Sequence, residues 1–333
     1  MTTAPSIAHR DLPTASGSLA RARSLVAPAL DEAVLRLSPE LRSAVRHHLE
    51  GGGKFVRAGL VLLSAAAVGG DERSGVVGAV AIELVHNFSL VHDDIIDGDL
   101  ERRHRPTVWA EYGIGQAIIT GDALVTLALQ LLLEEPTPPR VNAALRLAEA
   151  TQEMIAGQAE DMASEQRSVL SVEECLHMET GKTGALLSCA ASLGAVLAGA
   201  PAPSVDALAD FGRHLGIAFQ AVDDLLGIWG DPSVTGKPVG NDLRLHKKTL
   251  PVAVATANGA PEDLKTLLSE ELSDGDVEAA ARMLDECGAR EQTVAIGESH
   301  LQAALGALER VPLELAATAE LAAIAHYVTA RDR

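Results

Sequence analysis

From about residue 20 onward, apolar positions recur at three- and four-residue spacing, segment after segment. That spacing lines one face of an α-helix. The period predicts helices over 20–36, 39–50, 55–67, 75–97, 114–134, 139–163, 172–179, 183–199, 203–229, 247–258, 261–270, 275–287, 290–309 and 313–330. Ser38 before Pro39 reads as an N-cap with Pro at the first helical position. Ser171 and Glu174 have capping-box spacing, and Pro261 and Pro312 read as helix starts. No run alternates β-branched and polar residues between turns, so strands are not expected. Residues 230–246, GDPSVTGKPVGNDLRLH, are punctuated by Gly and Pro and read as a loop. No solenoid repeat is evident. The pattern predicts a single all-α domain over 18–333, an antiparallel bundle of many helices, behind a disordered N-terminal segment 1–17.

Composition sharpens this. Of the 333 residues 47% are hydrophobic but only 2% aromatic, so the core must be built from Ala, Leu, Val and Ile; Ala and Leu are strong helix formers. The net charge of −19 argues against a nucleic-acid binder or a polybasic membrane-surface protein. Cys175, Cys189 and Cys287 are odd in number and form no CxxC, which suggests free thiols in a reducing cytoplasm. The N-terminus has no apolar signal-peptide core. Residues 184–202, GALLSCAASLGAVLAGAPA, are uncharged and long enough to span a bilayer. Their Ala, Gly and Ser content favours a buried bundle helix, so no transmembrane segment is expected.

Residues 82–97, IELVHNFSLVHDDIID, carry the first candidate chemistry. On a helical wheel Glu83, His86, Asn87, Asp93, Asp94 and Asp97 share an arc of about 120°. Leu84, Phe88, Val91 and Ile95 occupy the opposite arc. Asp93 and Asp97 stack one turn apart, where like charges repel. A solvated acidic face would explain three aspartates, but His86 and Asn87 in the same stripe point to a cleft wall. Arg102, Arg103 and Arg105 follow, with Arg57 farther back. Carboxylates beside arginines suit a site where Mg²⁺ is held by one or two carboxylates and by phosphate oxygens. A second pair, Asp223 and Asp224, shares a helix face with Gln220. Gly227 lies on that face one turn on, where a third carboxylate would stand. The following loop supplies Lys237, Asp242, Lys247 and Lys248.

Together these segments resemble the trans-isoprenyl diphosphate synthases, the polyprenyl synthetase family, from about residue 30 to the C-terminus. Six segments match in order: GGGKFVR at 51–57, ELVHNFSLVHDDIID at 83–97, LERRHRPT at 100–107, GQAED at 157–161, KTG at 182–184, and FQAVDDLLGIWGDPSVTGKPVGNDLRLHKKTLP at 219–251. The resemblance implies a helical bundle around a central cavity. It implies a Mg²⁺-dependent prenyltransferase that condenses isopentenyl diphosphate with an allylic diphosphate, using three Mg²⁺ ions. Asp93 and Asp97, with Asp94 beside them, would hold Mg²⁺ bridging the allylic diphosphate; Asp223, with Asp224, would hold a further ion. Arg102, Lys182 and Lys237 would contact the allylic diphosphate, and Lys54, Arg57, His86 and Arg103 that of isopentenyl diphosphate. Gln158, Thr183 and Gln220 would line the reacting region. The family further implies a homodimer.

The sequence also departs from the family pattern. Phe55 and Ala58 stand where Arg and Pro are frequent in the first segment, His104 stands where Gly is usual, and Gly227 shortens the second acidic motif. Because Mg²⁺ keeps waters for its remaining positions, Gly227→Asp is expected to change little. Phe88, five residues before Asp93 with no insertion in the motif, resembles the geranylgeranyl diphosphate synthases. It lies about 7.5 Å deeper along the helix and would floor the cavity. The expected product is therefore C20, with C15 second. A terpene cyclase and a non-catalytic partner subunit on the same fold are the alternatives. The cationic residues of the second diphosphate pocket disfavour the first, and the intact first motif disfavours the second.

Overall fold

The computed structural model describes residues 14–165, 167, 169–231 and 239–330. Helices α1 (Ala15–Val34), α2 (Pro39–Leu49), α3 (Val56–Ala67) and α4 (Val76–Ile96) lead into a two-residue-per-strand hairpin, β1 (Glu101–Arg102) and β2 (Arg105–Pro106). Next come α5 (Val108–Tyr112), α6 (Ile114–Leu133), α7 (Pro138–Ser164), α8 (Val172–Glu179), a π-helical turn at Thr180–Gly184, α9 (Ala185–Leu197) and α10 (Ala202–Trp229). The C-terminal part holds α11 (Asn241–Arg244), α12 (Leu250–Ala257), α13 (Glu262–Leu267), α14 (Asp274–Glu286), α15 (Ala289–Leu308) and α16 (Leu315–Thr329).

Local chemistry sets many of these ends. The Ser38 hydroxyl accepts from Leu41 N with Pro39 inside the first turn. Ser171 and Glu174 form the reciprocal capping box that their spacing predicts. Pro261 is the N-cap of α13, whereas α16 starts at Leu315, three residues beyond Pro312. Three expectations need correction. Helix α1 begins at Ala15, inside the segment 1–17, because Thr14 caps it by accepting from Gly17 N. A hairpin exists where no strand was expected. Residues 241–244 form a helical turn within the predicted loop.

The main core joins α1, α3, α4, α6, α7, α9, α10, α15 and α16 through Ala, Leu, Val and Ile, with Phe211 its largest fully buried side chain. A smaller core joins α8 and α10 to α11 through α15. Helix α9 runs inside the bundle with its first eleven residues buried. This is the interior placement expected of 184–202. Two other helical stretches, Glu72–Ile96 and Ile114–Leu133, are long and apolar enough to cross a membrane, with 67% and 44% of their apolar windows buried in the bundle. All three cysteines are free thiols.

Candidate active site

A cavity of about 1220 Å³ opens between α1, α4, α7, α9, α10 and α16. On one wall, α4 presents His86, Phe88, Ser89, His92 and Asp93. Burial is the largest influence on Asp93 and pushes its carboxyl up to about 6, with Lys182 opposing and Asp97 adding to the rise. Asp97 is the exposed C-cap of α4, its backbone N–H donating to Asp93 O at 2.8 Å. Asp94 has another commitment. It is buried, and its Oδ1 accepts from Arg102 Nε at 2.7 Å while Oδ2 has no partner. Asp94 thereby fixes Arg102. Burial raises the Asp94 carboxyl, and Arg102 opposes this.

The hairpin feeds cations to the same wall. Arg102 pairs with Arg105 across the ladder, and Arg103 and His104 between them both have positive φ, 55° and 60°. Two successive left-handed residues make the two-residue turn whose twist matches paired strands. Arg102 and Arg103 both line the cavity, as do Lys54, Arg57 and His86. Arg57 Nη1 lies 3.3 Å from His86 Nε2. Burial is the main cause that holds the His86 imidazole well below its usual range, with Arg57 and Arg103 next, so it is neutral at pH 7. Glu83 accepts from Ala58 N at 3.1 Å and braces the start of α3 from below.

The facing wall is built on the π-helical turn that carries Lys182 and Thr183, an irregularity frequent at functional sites. Gly157 permits it: a Cβ there would stand 2.3 Å from Lys182 N. Lys182 Nζ donates to Asp161 Oδ2 at 2.5 Å. Thr183 Oγ1 donates to Gln220 Oε1 at 3.0 Å, and Gln220 Nε2 donates to Asp224 Oδ1 at 2.9 Å. Asp224 also accepts from Leu250 N at 2.8 Å. Buried and tied to α12 in this way, with its carboxyl pushed by burial to about 7, Asp224 holds α10 to α12. Asp223 lines the cavity, as does Gln158, whose Oε1 is buried without a partner. Gln220 sits behind Thr183. Lys237 lies outside the described residues.

Gly227 has an unexpected neighbour. A Cβ there would stand 1.8 Å from Asp242 Oδ2. The space of the missing carboxylate is thus taken by one from α11. Among the described residues no three His, Cys, Asp or Glu side chains converge on one metal. A Mg²⁺ ion would have to be held in another way, by Asp93 and Asp97 one turn apart on α4 and by Asp223 on α10, with an anionic ligand among the cations completing its shell. Mg²⁺ is held in this way, by few carboxylates and by phosphate oxygens.

Sequence reasoning missed several residues. Glu179 is buried behind Asp224, and Cys175 Sγ donates to its Oε1 at 3.3 Å; an acid at a helix end carries no signal of that depth. His92 packs edge to face on Phe88, ring centroids 4.9 Å apart, with its ring against Gly121 of α6. Arg23 and Tyr327 reach the cavity from the two ends of the chain.

A helical bundle whose cavity is lined by aspartates from two helices and by a cluster of cations defines a class of site suited to diphosphate-bearing ligands. The chain belongs to the polyprenyl synthetase family, whose model matches residues 38–284. It is 45% identical to a (2E,6E)-farnesyl diphosphate synthase of Mycobacterium tuberculosis, over 94% of this chain and 92% of that one. It is 40% identical to a geranylgeranyl diphosphate synthase of the same organism, over 87% of each chain. A crystal structure of a polyprenyl synthetase from Streptomyces coelicolor A3(2) superposes with a TM-score of 0.91 at 45% identity, covering 96% of this chain and 99% of that one. The protein is a prenyltransferase that condenses isopentenyl diphosphate with an allylic diphosphate, a reaction for which this family typically uses Mg²⁺.

Proposed function

We propose that the product is C15 farnesyl diphosphate, which reverses the order expected from the motif alone. The observation that carries this reading is the double floor beneath Asp93. Phe88 is buried, His92 packs against it one turn nearer the aspartates, and His92 Nε2 lies 3.0 Å from Ile118 O on α6. Two rings braced on a neighbouring helix stop a growing chain sooner than Phe88 alone would. The higher identity to a farnesyl than to a geranylgeranyl synthase supports it. C20 is the second reading, favoured by the small, half-buried Ser89 beside Phe88, which leaves room on the same turn.

The residues act as follows. Asp93 and Asp97 from α4 and Asp223 from α10 would hold Mg²⁺ with the allylic diphosphate; three ions are proposed. Bound there, the metal would supply positive charge to the departing diphosphate. Arg102 and Lys182 hold the same leaving group; Asp94 fixes the one and Asp161 the other. Lys237 is assigned to that group by resemblance. Lys54, Arg57, neutral His86 and Arg103 hold isopentenyl diphosphate so that its double bond meets the allylic cation in line. Thr183, positioned by Gln220, and Gln158 line the reacting region. Leu186, Leu187, Leu215 and Phe219 exclude water that would quench the cation. We also propose a homodimer through the outward faces of α6 and α7.

Incubation with Mg²⁺, labelled isopentenyl diphosphate and each of the C5, C10 and C15 allylic diphosphates tests the reading by chromatography. C15 as end product, with no extension of the C15 primer, is expected. Efficient extension of that primer to C20 overturns it. A hydrocarbon would mark a cyclase, and inertness a partner subunit.

A further inference from the structure

We propose that Arg23, on α1, is a diphosphate-binding residue of the isopentenyl diphosphate pocket, held there by the ring of Phe55. The proposal rests on the assignment of Lys54, Arg57, His86 and Arg103 to that pocket.

Helix α1 passes the cavity with one face. Arg23, Ala27, Leu30 and Asp31 all line it, at the spacing that puts residues on a common stripe. Two neighbouring arginines have different fates. Arg21 is committed to Glu72 at 2.9 Å and to Glu320 at 2.6 Å. Arg23 makes no hydrogen bond or ion pair among the described residues, with Asp31 or with any other carboxylate. Its Cζ instead lies 5.8 Å from the centroid of the Phe55 ring. A guanidinium stacked on a ring is oriented by it and keeps its in-plane N–H edge for a planar or tetrahedral anion.

The backbone under that ring is unusual. Phe55 has φ 53° at the N-cap of α3, a left-handed conformation that a bulky side chain rarely adopts. Such strain persists where surrounding structure over-determines it, and functional loops are where it collects. Lys54 is the residue before and Arg57 two after. A second cation–ring pair, Lys54 Nζ 5.9 Å from the Tyr327 centroid, stands at the same mouth. Phe55 gives the loop a ring and no cation at this position, and α1 delivers a cation to that ring.

Steady-state kinetics with both substrates varied tests this. Arg23→Gln should raise KM for isopentenyl diphosphate about tenfold, the scale of one lost hydrogen bond to a charged group. kcat and the allylic KM should stay within twofold. Arg23→Lys, which keeps the charge, should recover most of the loss. Phe55→Leu, which removes the stack and leaves Arg23, should raise the same KM by about threefold. Arg57→Gln is the reference for the pocket. If Arg57→Gln raises KM for isopentenyl diphosphate and Arg23→Gln leaves it within twofold, the proposal is overturned and the pocket stands. Equal rises in both KM values for Arg23→Gln would mark a structural effect and also overturn it. If Arg57→Gln leaves that KM unchanged, the pocket assignment fails and takes the proposal with it.

Discussion

Gly227 is the residue at which sequence and space disagree. Its side-chain direction into the metal cleft is legible from the helical wheel, and so is the loss of a carboxylate. The wheel cannot show that Asp242, fifteen residues on, fills the vacated volume. Gly227→Asp should therefore be harmful and not neutral. The new Cβ meets the Asp242 carboxylate, which can swing away, but two like charges are then forced together beside Asp223. A fall of about tenfold in elongation at limiting Mg²⁺ is expected, with Gly227→Asp/Asp242→Ala closer to wild type than Gly227→Asp. A Gly227→Asp enzyme as active as wild type would refute this. Asp223→Ala, which removes the cavity-facing carboxylate of that helix, should lower elongation by about a thousandfold or more. Phe88 carries the prediction for chain length. Phe88→Ala removes one of the two rings packed edge to face, and products longer than C15 should appear by chromatography while His92 still limits them. An unchanged product distribution would show that the floor lies elsewhere.

At the scale of elements, what was legible followed from repetition. Long helices such as α4, α7 and α10 were predictable because each repeats its apolar stripe over many turns. The hairpin at 101–106 was not, since two-residue strands are too short to show alternation. The tight turn is also hidden, because it uses Arg103 and His104 where glycine would announce it. His104→Gly should relieve one left-handed residue and stabilise the protein by about 1 kcal/mol. Calorimetry should show a rise in Tm of about 2 °C, and a fall would mean that the imidazole contributes something the backbone geometry does not reveal. Likewise, Asp93 and Asp223 could be read as cleft residues, but the burial of Asp94 and Asp224 depends on partners distant in sequence. Glu179 belongs with these. Burial first, and then neighbouring Asp224, holds its carboxyl well above the usual range. The folded protein thus keeps a proton that the unfolded chain releases above about 4.5. Stability from this site is complete below that value and declines as pH rises from it toward the folded value. Glu179→Gln cannot titrate, so the difference in Tm between pH 5 and pH 8 should be smaller by a few degrees than in wild type. An unchanged difference would show that Glu179 is ionised in the fold.

For the whole molecule the open question is what covers the back of α6. This helix spends one side on the core, burying Ala117, Thr120, Gly121, Leu124, Leu127 and Ala128. The same helix leaves Ile118 and Ile119 exposed at 44% and 51%, and adjoining α7 leaves Leu145 and Ile155 exposed at 58% and 49%. Single exposed apolar residues need no explanation, but large ones gathered on two adjacent helices mark an interaction surface. The rest of the molecule disfavours loose aggregation, since a net charge of −19 repels unspecific neighbours. A specific pair of chains joined through α6 and α7 reconciles the two facts, and a two-fold interface uses the same patch on both subunits. It would also stiffen the cavity floor, because the carbonyl of Ile118 is the one that His92 faces from inside. Light scattering should therefore give a mass of twice the 34.7 kDa chain. Ile118→Glu/Ile119→Glu should halve that mass and, by loosening the support under His92, lengthen the products while Mg²⁺ dependence stays the same. A wild-type mass of one chain would leave this face without its partner and remove the argument.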